Sequence, residues 1–176
     1  MNRSILAAAS LLLALALPAH AQKSAGDAVD DSSIAASIKA GLLDNQHTHS
    51  GQINVESYKG EVQLSGFVST QAEKDAAGKV ASRVTGVTQV HNSIALQPAT
   101  SFGTKLDDSI VTGKVKAALM DSADIKSMQI NVETKNGVTQ LAGFVTSQGM
   151  KDKAGKVAAG VDGVTRVDNV LLVKPK

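Results

Sequence analysis

Apolar residues return along this chain at two different spacings, and the switches between them outline a set of elements. Ile34, Ile38, Leu42 and Leu43 recur at the spacing of a helix, after Asp31, Ser32 and Ser33, whose side-chain oxygens suit an N-cap. Ile53, Val55 and Ser57 then alternate with Asn54, Glu56 and Tyr58, the period of two of a strand with one buried face. Lys59-Gly60 marks a turn, and Val62 and Leu64 alternate with Gln63 and Ser65 on a partner strand from Glu61 to Val68. Thr70-Gln71-Ala72-Glu73 has the form of a capping box, opening a second helix with Ala76, Ala77, Val80, Ala81 and Val84 as its buried stripe. Gly86 ends that helix, and Val87 to Leu96 forms a last strand.

The same order occurs again at a constant shift of 77 positions (143 − 66, setting Gly66 on Gly143). Ile53-Asn54-Val55-Glu56 returns as Ile130-Asn131-Val132-Glu133, and Gly86-Val87-Thr88 as Gly163-Val164-Thr165. Asp108 and Ser109 precede Val111, Val115, Ala118 and Leu119, and Asn136-Gly137 stands at the second turn, a strong hairpin signal. The pattern predicts an α+β fold of two tandem α-β-β-α-β modules, residues 30–98 and 107–175, joined by a linker over 99–106. Each module is a three-stranded mixed sheet with two helices on one face, the third strand reached by a right-handed crossover. Gly78 and Gly155 fall inside a helix stripe, where each costs about 1 kcal/mol against alanine, so close approach of helix to sheet is expected there. The opposite sheet face, with Asn54, Glu56, Gln63 and Ser65, is polar and either wet or used by a partner, while Phe67 and Phe144 are assigned to the core.

These residues resemble the BON domain. The match runs through Ile53-Asn54-Val55, Gly60, Leu64-Ser65-Gly66-Phe67-Val68, Ala77, Gly86-Val87 and Val90-His91-Asn92. It returns through Ile130-Asn131-Val132, Gly137, Leu141-Ala142-Gly143-Phe144-Val145, Gly163-Val164 and Val167-Asp168-Asn169. A leader followed by two such modules is similar to the periplasmic, osmotically inducible branch of the family. The resemblance implies an α/β sandwich and no catalytic activity. It also implies binding of phospholipid or envelope proteins, protection of the envelope under osmotic stress, or a chaperone-like role toward exported proteins.

The first residues read as an address. Arg3, the apolar run Ile5 to Leu17, Pro18 and Ala19-His20-Ala21 fit a signal peptide cleaved after Ala21, leaving residues 22–29 as a disordered N-terminal segment. With no cysteine there is no disulfide, no thiolate nucleophile and no lipid attachment, so the expectation is a soluble periplasmic protein without an anchor. Charge is uneven. Gln22 to Phe102 carries six Lys/Arg against eight Asp/Glu, and Gly103 to Lys176 eleven against eight, so the second module is the one suited to an anionic partner.

Reactive chemistry is sparse. His47 and His49 could begin a metal site, but Asp124 and Lys126 replace them in the second copy, so solvated histidines and no metal are expected. The histidines have no evident acid–base partners, no Gly-x-Ser-x-Gly elbow occurs, and Asp30-Asp31 and Asp107-Asp108 suit helix capping, so neither an enzyme nor a cofactor is expected. Three Phe, one Tyr and no Trp argue against nucleic acid. The candidate site is Ile110 with Lys114 and Lys116, an apolar residue beside lysines suited to shallow contact with an anionic phospholipid surface. Lys151, Lys153 and Lys156 are the alternative basic patch. The rival function is a holdase-like chaperone meeting unfolded or outer-membrane proteins on the polar sheet faces or in the groove between modules.

Overall fold

The structure is a computed structural model that describes residues 25–97, 105–122, 125 and 130–175, with the side chains of 25–29 and 105–107 left out. The leader lies outside the described residues. In the first module α1 (Ala25–Asp44) leads through a 3-10 turn to β1 (Ile53–Tyr58), β2 (Glu61–Val68), α2 (Gln71–Ser82), β3 (Gln89–Asn92) and β4 (Ala95–Leu96). The second repeats this as α3 (Lys105–Asp121), β5 (Asn131–Lys135), β6 (Val138–Ala142), β7 (Phe144–Val145), α4 (Gln148–Ala159), β8 (Arg166–Asn169) and β9 (Leu172–Val173). β1 and β2 are antiparallel, with Val55 opposite Leu64, and β2 runs parallel to β3 and β4. The sheets are mixed and the fold is α+β, as the pattern predicts.

Both hairpins turn through two residues of positive φ, Lys59 with Gly60 and Asn136 with Gly137, the geometry that matches strand twist. Each turn is held by an aspartate from the first helix. Asp31 accepts hydrogen bonds from the N–H groups of Lys59 and Gly60 at 2.7 and 3.0 Å and from Ser57 Oγ at 2.8 Å. Asp108 does the same for Asn136 and Gly137 at 2.7 and 2.9 Å. The capping role expected of these carboxylates is therefore corrected. α1 begins at Ala25 and takes in residues 25–29, so Asp31 lies inside the helix and is free to reach the hairpin.

Each module has its own apolar core. Ile34, Ile38, Leu42, Val55, Val62, Leu64, Ala77 and Ile94 form one, and Val111, Val115, Leu119, Val132, Leu141, Ala154 and Leu171 the other. α2 and α4 start at Thr70 and Ser147, whose hydroxyls accept from the N–H groups of Glu73 and Met150. They lie close on the sheet, as the mid-helix glycines predict. A Cβ on Gly78 would stand 3.0 Å from Asn92 Nδ2, and Asn92 donates to the Lys74 carbonyl at 2.7 Å.

Candidate functional site

Two surfaces come forward: the outer side of α3 and the sheet faces between the modules. On α3 the stripe Val111, Val115 and Leu119 is buried, so positions rotated away from it face outward. Ile110 is 51% exposed and Met120 68%, and Gly113 and Ala117 between them are exposed as well. The spacing 110, 113, 117, 120 draws one small-to-apolar strip along the outside of the helix. Lys114 and Lys116, roughly 200° apart around the axis at two residues' separation, border it on opposite flanks. Lys114 Nζ donates to Asp162 Oδ2 at 3.3 Å across an exposed surface. Lys116 lies on the β5 flank, where its charge acts on Glu133.

Ile110 thus lies on the strip with Lys114 and Lys116 on its two opposite flanks, and the three form no single cluster. Met120 is the member that sequence reasoning missed, and the i, i+3, i+7, i+10 spacing from Ile110 was its available signal. Leu43, 73% exposed, is its counterpart on α1. The alternative basic patch is not gathered. Lys156 is exposed, Lys151 and Lys153 are half-buried, and Lys151 lies on a different flank of α4.

The polar sheet faces meet each other. Gln63 Oε1 accepts from Gly143 N at 2.7 Å, and Gln140 Oε1 accepts from Gly66 N at 2.6 Å. Gln63 Nε2 donates to the Val170 carbonyl at 2.6 Å, and Gln140 Nε2 to the Ser93 carbonyl at 3.0 Å. Asn54 Nδ2 donates to Glu133 Oε2 at 2.9 Å, and Asn131 hydrogen-bonds Glu56 in return. Gln63, Ser65, Gln140 and Ala142 are buried by this contact. Phe67 and Phe144 are buried, as expected, and this contact is what buries them. They share the face of Gln63 and Gln140 and belong to neither core; the Phe144 ring lies 5.7 Å from that of Tyr58.

Gly66 and Gly143 make this possible. At φ of 114° and 122° they kink the central strand, and a Cβ on Gly66 would stand 2.2 Å from the Gln52 carbonyl oxygen. The kink aims their N–H groups at the opposite glutamines. Burial pushes the Glu56 carboxyl up, against the pull of Lys39 and Asn131. Burial does the same at Glu133, against Asn54, Lys135 and Lys116.

The histidines differ from expectation. His49 Nδ1 pairs with Glu73 Oε1, and His91 Nε2 with Glu61 Oε2 at 3.2 Å, so two of them do have carboxylate partners. Burial would raise Glu73, but hydrogen bonds from His49 and Ser69 outweigh it and hold the carboxyl down. His47 is exposed, and among the described residues no three His, Asp or Glu side chains are placed to hold a metal. Asp124 and Lys126 lie outside the described residues. No described helix is long and apolar enough to cross a membrane.

With this geometry in place, the chain can be set beside known proteins. The BON domain family matches it twice, over residues 30–98 and 107–175. The chain belongs to the BON domain family. It is similar to osmotically-inducible protein Y of Escherichia coli, 40% identical over 151 residues that cover 85% of this chain and 75% of the relative. The 21 kDa hemolysin of Actinobacillus pleuropneumoniae is 32% identical over 150 residues, 85% of this chain and 77% of that one. The outer membrane lipoprotein DolP of Haemophilus influenzae is 31% identical over 149 residues, 84% and 77%.

Proposed function

We propose that this BON protein is a non-catalytic envelope protein, exported to the periplasm, that rests weakly on anionic phospholipid surfaces and supports the envelope under osmotic stress. The observation that carries the reading is the outer strip of α3, apolar at Ile110 and Met120 and bordered by Lys114 and Lys116. Full burial of one such apolar side chain is worth about 1.5–3 kcal/mol. Each lysine near an anionic surface adds about 1 kcal/mol, and Lys114 must first loosen from Asp162. The sum suits reversible, salt-sensitive contact and falls far short of anchoring. Names among the relatives, an osmotically inducible protein and an outer membrane lipoprotein, accord with the compartment and the stress. A holdase using the polar sheet faces is disfavoured, because each module covers the other's face.

Flotation with phosphatidylglycerol and phosphatidylcholine vesicles tests the reading. Recovery should favour the anionic vesicles, fall with salt, and fall further in Ile110→Asp and Met120→Asp. Equal recovery on the two lipids, or variants that float as well as the parent chain, would end it.

A further inference from the structure

Among the described residues, the amide and carboxylate hydrogen bonds between the modules come in mated pairs. Shifting by 77 residues turns Asn54–Glu133 into Asn131–Glu56 with the partners exchanged. It likewise turns Gln63–Gly143 into Gln140–Gly66, and Gln63–Val170 into Gln140–Ser93. The two modules are thus related by a local dyad. A dyad between near-copies has a consequence that a general interface lacks: each face carries both halves of each of these hydrogen bonds. The first module holds Asn54 and Glu56, Gln63 and the Gly66 N–H, and the Ser93 carbonyl. The second holds Asn131 and Glu133, Gln140 and the Gly143 N–H, and the Val170 carbonyl.

We propose that these faces are self-complementary toward a second copy of this chain, so that two chains pair like with like, first module on first module and second on second. The exchange opens two intramolecular interfaces and closes two intermolecular ones, and the amide and carboxylate bonds are all remade. Aromatic contact survives, since Tyr58 meets the copy's Phe67 instead of Phe144. The Lys174 ammonium, 4.8 Å from the Tyr58 ring in the closed chain, has Gln97 as its counterpart, so that contact is lost from the paired first modules. Closed and paired forms otherwise differ mainly in association entropy, and chain concentration sets the balance.

The dyad supplies the test. Gln63 faces Gly143 and Gly66 faces Gln140, so the axis passes between residues 63 and 66, beside Ser65 and its equivalent Ala142. The chain has no native cysteine. In the closed chain a lone Ser65→Cys has Ala142 across from it and no thiol to join. In a like-with-like pair, two such thiols meet across the axis. Under mild oxidation, full-length Ser65→Cys and, separately, Ala142→Cys should each give a disulfide-linked dimer. The yield should rise with chain concentration and exceed several-fold that of an exposed-surface control, Ala40→Cys. The double variant Ser65→Cys/Ala142→Cys reports the closed form as an intramolecular bond, and so checks that thiols on this face react. Single variants that give no more dimer than the control, while the double variant closes internally, would overturn the proposal. So would intermolecular linkage confined to the double variant, because that pairs unlike modules.

Discussion

Glu56 and Glu133 stand at equivalent places between the modules, each with one asparagine from the other module and lysines at the margin. Burial disfavours their charged forms, so each carboxyl titrates above the ordinary glutamate value of 4.5. A raised carboxyl binds its proton more tightly in the folded state. Its contribution to stability is full below the unfolded value and is lost as pH rises through the folded one. Glu73 and Asp31, both held down by hydrogen bonds that outweigh burial, act the other way: their contribution is lost as pH falls through their folded values. The windows are separate, so they can be told apart. Glu56→Gln/Glu133→Gln should gain in urea midpoint over the parent at neutral pH, with the gap closing as pH falls toward 4.5. A gap that ignores pH would show that the carboxyls are charged at no cost. None of this is visible locally, because an alternating strand pattern shows that Glu56 points away from its own core and says nothing about what lies beyond.

At the scale of elements the pattern was most legible where the signal is periodic. Strand alternation, the Asn136-Gly137 turn and the mid-helix glycines all have the structural meaning their spacing implies, since each depends on neighbours within a few residues. The start of α1 was not legible, because Asp31-Ser32-Ser33 has cap chemistry while the true partners of Asp31 lie 28 and 29 residues downstream. The same linkage exists at Asp108, and there it can be tested. Hydrogen bonds to a charged group are worth about 1.5–3 kcal/mol, so Asp108→Ala, which strips two from the second hairpin turn, should cost that order in a urea titration. Asp152→Ala, on the exposed side of α4 and bonded among the described residues to Gln148 one turn away, should cost under about 0.5 kcal/mol. Equal costs would mean that the hairpin turn holds its shape without the helix.

The whole molecule is a sandwich of helices, sheet, sheet and helices, two apolar cores separated by a polar seam. Such a seam specifies orientation strongly, because the buried Gly66 and Gly143 N–H groups lose the acceptor described for each when the opposite glutamine is removed. An unsatisfied buried donor costs about 1–3 kcal/mol. Domains of this size bury a modest share of their surface and are marginal alone, so the seam should couple them. The parent chain should unfold in one calorimetric transition whose van't Hoff and calorimetric enthalpies agree. Gln63→Leu/Gln140→Leu removes both glutamine clamps while leaving the two cores untouched. It should split the melt into two transitions, the van't Hoff enthalpy falling well below the calorimetric one. If instead the double variant melts once at a lower temperature, the modules are coupled through the aromatic contacts of Tyr58 and Phe144. If the parent already shows two transitions, the seam orients the modules without joining their stabilities. The repeat was legible in the sequence because duplication preserves spacing. How the copies face one another was not, because glutamines that clamp across a dyad look, along a single strand, like glutamines that face water.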